Sequence, residues 1–243
     1  MRGKGIIDTH GHLGEWFFPI PRYSLDEVDA ILARCDIELC IFSSALAVMH
    51  DFREGNAWLK HAIAGRQRMA GYVTINPHYP DESRADLDAY LPLPDFLGVK
   101  YHTHYTNSRA DSPLALKLLE DVQQRGVPIL LHASAGQIAN VAKALPDLRL
   151  IMPHFTLLAG PEASLLAGLP NVWVDFSGTD SHWGRVSEAV ELLGHQRVLF
   201  GSDVTLIDPA RALGMVDDAD LTAEQRECIL RRNAVDLFGL AKA

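Results

Sequence analysis

The chain has 243 residues, 48% of them hydrophobic, which is enough to bury a large core in one α/β domain or in two smaller ones. Its 31 acidic residues outnumber 22 basic ones for a net charge of -9, and the lysines and arginines are spread singly, so no nucleic-acid surface is expected. No apolar run approaches the roughly 20 residues of a membrane span, polarity after Ile7 comes too early for a signal peptide, and Cys35, Cys40 and Cys228 lack CxxC spacing, so a cytoplasmic protein with reduced thiols is expected.

In chain order, short Val-, Ile- and Leu-rich runs alternate with helical patterns. Strands are predicted at GIIDTH (5–10), ELCIFSS (38–44), MAGYVTI (69–75), FLGVKYH (96–102), VPILLHA (127–133), LRLIMPH (148–154), NVWVDFS (171–177) and RVLFGSD (197–203). Their near-continuous apolarity is that of parallel strands buried on both faces. Between them, Ser24 and Glu27 offer a capping box ahead of VDAILARC, and Ser112-Pro113 opens LALKLLEDVQQRG, which ends at Gly126. Helices also fit GNAWLKHAIAGR, RADLDAYL, GQIANVAKAL, EASLLAG, RVSEAVELLG and TAEQRECILRRNAVDLFG. With no linker-like segment, eight βα units predict one α/β domain over residues 1–243, a somewhat distorted (β/α)8 TIM barrel. The alternative, an open doubly wound sheet, wants a glycine-rich phosphate loop where GIIDTHGHLG carries histidines.

Barrel active sites lie at the C-terminal strand ends. His10 and His12 fall there on strand one, Lys100, His102 and His104 on strand four, His132 on strand five, His154 on strand six and Asp203 on strand eight, so six of 11 histidines gather at one end. The two-residue strand period predicts a shared face for Asp8, His10 and His12, another for Lys100, His102 and His104, and another for Leu199, Gly201 and Asp203. Imidazoles plus a carboxylate, with a position left for water, describe a catalytic zinc-type site that lowers the pKa of bound water to about 7. Taken singly, His132 can be a satisfied core histidine and Asp203 a helix N-cap. Ligand-type residues at several separate strand ends favour the metal.

These motifs, HxH after strand one, a VKxH-like strand four, PILLHAS, the MPH end of strand six, RVLFGSD and the closing RRNAVDLFGL, together resemble the amidohydrolase superfamily. Within it they are similar to the amidohydrolase-related branch that includes aminocarboxymuconate semialdehyde decarboxylase, aromatic-acid decarboxylases and certain lactone hydrolases. The resemblance implies a mononuclear divalent metal, usually zinc, held by His10, His12, His132 and Asp203. It places His154 beside the metal-bound water or substrate as acid, base or electrophile, with a hydrogen bond to a metal ligand as its plainer role. The chain departs from relatives in the segment VTLIDP after Asp203, which leaves the substrate loop unreadable by analogy.

In some members of the superfamily the strand-four lysine carries a carbamate that bridges two metals, so Lys100 has three open roles: that bridge, a contact to substrate or water, or a structural ion pair. His102 and His104 then line the pocket or serve a second metal, His104 being the more solvent-facing. Arg109, Arg22 and Arg53 are candidates for a carboxylate clamp, or ordinary surface charges. The expected activity is hydrolysis of a small ester, lactone or amide, with Asp203 and His154 catalytic. The alternatives are non-oxidative decarboxylation of an unsaturated or aromatic acid at the same metal, and a barrel that binds metal without turnover. The expected partner is a small molecule, including a carboxylate; neither nucleic acid nor membrane is expected, and a homodimer is allowed.

Overall fold

The computed structural model describes residues 5–155, 160–178 and 184–241. All eight predicted strands form, as β1 (Ile6–Leu13), β2 (Ile37–Ser44), β3 (Met69–Thr74), β4 (Phe96–His102), β5 (Ile129–His132), β6 (Leu150–Met152), β7 (Val172–Asp175) and β8 (Val198–Leu199). They pair in parallel in the order β1 to β8. The ring closes through the segment after β8, where Thr9 N–H donates to Phe200 O at 2.9 Å and Asp203 N–H donates to His10 O at 2.8 Å. The result is a (β/α)8 TIM barrel.

Two apolar layers hold it. Inside the barrel, Ile7, Ile41, Tyr72, Leu130, Ile151 and Leu199 interdigitate, and the buried Tyr72 hydroxyl donates to Thr9 O at 2.7 Å. Outside, the helices pack a larger cluster against the strands. Gly98 makes room for Tyr72, because a Cβ there would stand 3.1 Å from the Tyr72 ring and 2.6 Å from Pro128 O.

The predicted helix starts hold in detail. Ser24 and Glu27 form the capping box of Leu25–Arg34, and Ser112 caps a helix with Pro113 in its first turn that gives way to a left-handed Gly126. The last predicted helix is not uniform: Cys228–Arg232 widens into a π-turn between Ala223–Glu227 and Asn233–Phe238. At that turn the Ile229 carbonyl accepts the Phe200 N–H at 3.0 Å, which ties the helix to the end of β8. The pattern EASLLAG is helical only at its start, within Gly160–Ser164. A helix over Pro209–Asp218, capped by Asp208, follows the β8 loop where no helix was read. Among the described residues, no helix is long and apolar enough to cross a membrane.

Candidate metal centre

His10 and His12 flank Gly11, where a Cβ would stand 2.6 Å from the Phe42 ring and 2.7 Å from Cys40 Sγ, so only glycine lets β1 lie this close to β2. The β1 register against β2 shifts between Asp8 and Gly11. This shift breaks the expected alternation: His10 and His12 converge, Nε2 to Nε2, at 3.2 Å, while Asp8 accepts hydrogen bonds from Ser202 N and Oγ instead of joining them. Lys100, one pleat below His102 on β4, is fully buried and reaches the same spot, its Nζ 3.4 Å from His10 Nε2. The chain turns helical at Thr103, so the exposed His104 leaves the strand for the Thr103–Thr106 turn and does not share the face of Lys100 and His102.

Asp203 arrives from the β8 loop with left-handed backbone, φ 67°, a conformation tolerated better by Asp than by most residues. Its Oδ1 lies 3.2 Å from His12 Nε2 and 3.7 Å from His10 Nε2, and is buried without a hydrogen-bond partner. His10, His12 and Asp203 thus offer three donor atoms within 4.8 Å of one another. Burial opposes ionisation of Asp203, but the neighbouring His12, His10 and His154 rings outweigh it and hold its pKa well below the usual carboxylate range. Burial also lowers the His12 pKa, to about 3. Imidazole nitrogens converging on a buried carboxylate oxygen fit a divalent cation.

His132 stands outside that trio. It stacks on His102 with ring centres 3.9 Å apart, and both rings line the cavity above the trio. Burial lowers the His132 pKa to about 2, and burial lowers that of His102 as well. The His102 Nδ1 is buried without a partner. His154 also lines the cavity, entering with φ 62°, and burial lowers its pKa. The cavity measures about 380 Å³, and Trp16, Phe18, Tyr105, Leu206 and Ile207 form its apolar walls.

None of the three candidate arginines lines it. Arg109 pairs with Asp111 at 2.8 Å, Arg22 with Glu15 at 3.0 Å and Arg53 with Asp86 at 3.4 Å, all three on exposed side chains. Two residues went unnoticed in the sequence. Asp175, at the end of β7, accepts from His10 Nδ1 at 3.0 Å, and Ser177 lies between His10 and His154. The strand-end rule that found the histidines applies equally to Asp175, since NVWVDFS ends β7 with a carboxylate. The hydrogen bond to His10 is a carboxylate–histidine pairing that fixes which ring nitrogen faces a metal.

An eight-stranded parallel barrel with imidazoles and carboxylates at its C-terminal strand ends is the architecture of a barrel metalloenzyme. The sequence matches the amidohydrolase family over residues 7–240, and the chain belongs to that family. No curated protein sequence matches it. Among solved structures, an amidohydrolase from Burkholderia multivorans with bound HEPES superposes with a TM-score of 0.82 at 16% identity, over 98% of this chain and 100% of that one. A dihydroxybenzoic acid decarboxylase from Polaromonas sp. JS666, with bound manganese and the inhibitor 2-nitroresorcinol, gives 0.78 at 17% identity over 100% and 98%. A 5-carboxyvanillate decarboxylase from Sphingomonas paucimobilis gives 0.75 at 14% over 98% and 100%. At these identities the likeness is one of fold.

Proposed function

We propose that this chain is a metal-dependent hydrolase of a small ester, lactone or amide. The observation that carries the reading is the convergence of His10, His12 and the buried Asp203 Oδ1 beneath a cavity that His154 also lines. His10, His12 and Asp203 would hold a divalent ion, zinc in this reading, with His132 as the remaining protein ligand. Such an ion supplies Lewis acidity that polarises a carbonyl and lowers the pKa of a coordinated water to about 7.

The chain's own residues do the rest. Attack of water on an acyl carbon releases a proton, and in this reading Asp203 and His154 take it and return it to the departing oxygen or nitrogen. Trp16, Phe18, Leu206 and Ile207 hold the apolar part of the substrate and exclude water around the acyl group. His102 offers a ring nitrogen to its polar atoms. Lys100 lies at the floor beside His10, in contact with substrate or water in this reading rather than bridging two metals.

A second reading, decarboxylation of an aromatic or unsaturated acid, is favoured by the aromatic walls Trp16, Phe18 and Tyr105, which suit a flat ring, and by a shared fold with decarboxylases. Product analysis on metal-loaded protein separates the two. Hydrolysis of members of a lactone, ester and amide panel is the expected result; carbon dioxide released from aromatic carboxylates, with that panel untouched, would replace the first reading by the second.

A further inference from the structure

The segment DFSG, which starts at the last residue of β7, carries a hydrogen-bonded relay that ties His10 to His154. Asp175 Oδ1 accepts the main-chain N–H of His154 at 3.1 Å and that of Ser177 at 2.9 Å, and its Oδ2 lies 3.0 Å from His10 Nδ1. The Ser177 hydroxyl donates to Asp175 Oδ1 and lies 3.0 Å from both His10 Nδ1 and His154 Nδ1. Gly178, at φ 106°, lets the ring approach, because a Cβ there would stand 2.9 Å from His154 Nδ1. By distance alone His10, His154 and Asp175 form a second group able to hold a cation. The serine hydroxyl lies within hydrogen-bonding distance of all three residues and joins them into one hydrogen-bonded group.

Proton counting fixes the direction of each bond. A serine hydroxyl has one hydrogen and two lone pairs, and an ionised carboxylate only accepts. With its hydrogen given to Asp175, Ser177 Oγ can meet the imidazoles only as an acceptor. Both Nδ1 atoms must therefore carry hydrogen.

We propose that Asp175 and Ser177 are positioning residues that lock His10 and His154 in the Nδ1–H tautomer, so that His154 presents a bare Nε2 to the cavity and enters the reaction as a base. The proposal rests on the catalytic reading of His154 and sharpens it. His154 accepts the proton of the attacking water through Nε2, and the same nitrogen later returns it to the leaving group; in the resting site it has no hydrogen there with which to polarise a carbonyl.

The test is a long-range proton–nitrogen correlation spectrum of the zinc-loaded full chain with 15N-labelled histidine, the His154 signals being identified by their loss in His154→Gln. Protonated Nδ1 and bare Nε2 are expected for His154. In Ser177→Ala the His154 signals should move to a mixture of tautomers, with zinc affinity little changed, KM little changed and kcat lower by roughly 10- to 100-fold. Ser177→Thr, which keeps a hydroxyl, should restore both tautomer and kcat. A wild-type His154 carrying hydrogen on Nε2 overturns the proposal, and that spectrum decides even where Ser177→Ala fails to fold. The expected tautomer without turnover on either substrate panel leaves the relay standing and defeats the catalytic reading instead.

Discussion

The Nζ of Lys100 lies 3.4 Å from Nε2 of His10, the lone pair that a divalent ion at the His10, His12 and Asp203 site would use. Burial lowers the Lys100 pKa to about 8, against the opposing pull of Asp203 and Asp175. Near neutral pH the buried lysine is therefore mostly an ammonium, held where a metal would add more positive charge. Metal entry must expel its proton. Apparent metal affinity should rise by up to about tenfold per pH unit below pH 8 and level off above it. Lys100→Met should flatten that rise. Competition with a coloured chelator between pH 6.5 and 9.5 checks it; equal slopes in the two proteins would exclude Lys100 as the titrating group.

Asp8 makes a separate pH-dependent contribution. Burial raises its pKa from 3.8 to about 7, against the hydrogen bonds from Ser202 and from the His10 backbone. The fold therefore holds the Asp8 proton more tightly than the unfolded chain does. The stability this proton confers is complete below pH 3.8 and is lost as pH rises through about 7. Asp8→Asn keeps the side-chain oxygen and never ionises, so its stability relative to wild type should climb from pH 5 to pH 8, by on the order of a few kcal/mol. Urea unfolding of chelator-treated proteins at the two pH values gives the answer, and an unchanged difference would refute it.

Trp16 packs edge-on against His12 with ring centres 4.9 Å apart and walls the cavity with Phe18. It comes from the β1 loop rather than from the core, so its loss should weaken substrate binding more than it weakens the fold. Trp16→Ala should raise KM about tenfold with a small change in Tm. A drop in kcat at constant KM would place Trp16 in the chemistry instead.

The arginines give a prediction of no effect. With Arg109 on Asp111, Arg22 on Glu15 and Arg53 on Asp86, each pair exposed on at least one side, Ala at any of the three should leave kcat/KM within about twofold and stability within about 1 kcal/mol. A tenfold loss of kcat/KM at one of them would identify a carboxylate clamp that the resting structure does not assemble.

The architecture was readable because βα alternation and buried parallel strands leave a strong periodic trace, and every strand from Ile6–Leu13 to Val198–Leu199 falls within two residues of its sequence-derived start. Parity then placed Lys100 and His102 correctly on one face of β4. It failed where the backbone is irregular. The register shift between Asp8 and Gly11 turns Asp8 away from His10 and His12, and the helical turn at Thr103 removes His104. Periodicity carries no trace of either a bulge or an early helix start. His154 and Asp203 face the site through left-handed backbone, which also lies outside any strand period. Asp175 ends β7 and was open to the same strand-end rule, but its role and that of Ser177 are set by contacts across the barrel to His10 and His154, which sequence spacing does not show.

The most direct test of the metal centre is elemental analysis of the full chain purified without chelators, alongside Asp203→Ala. One divalent ion per wild-type chain, lost from the variant while its circular dichroism stays that of the wild type, is the predicted result. No ion in the wild type, or an ion retained in full without the Asp203 carboxylate, would contradict a site built on His10, His12 and Asp203. Two ions per chain would contradict a single centre and make Lys100 a bridging ligand.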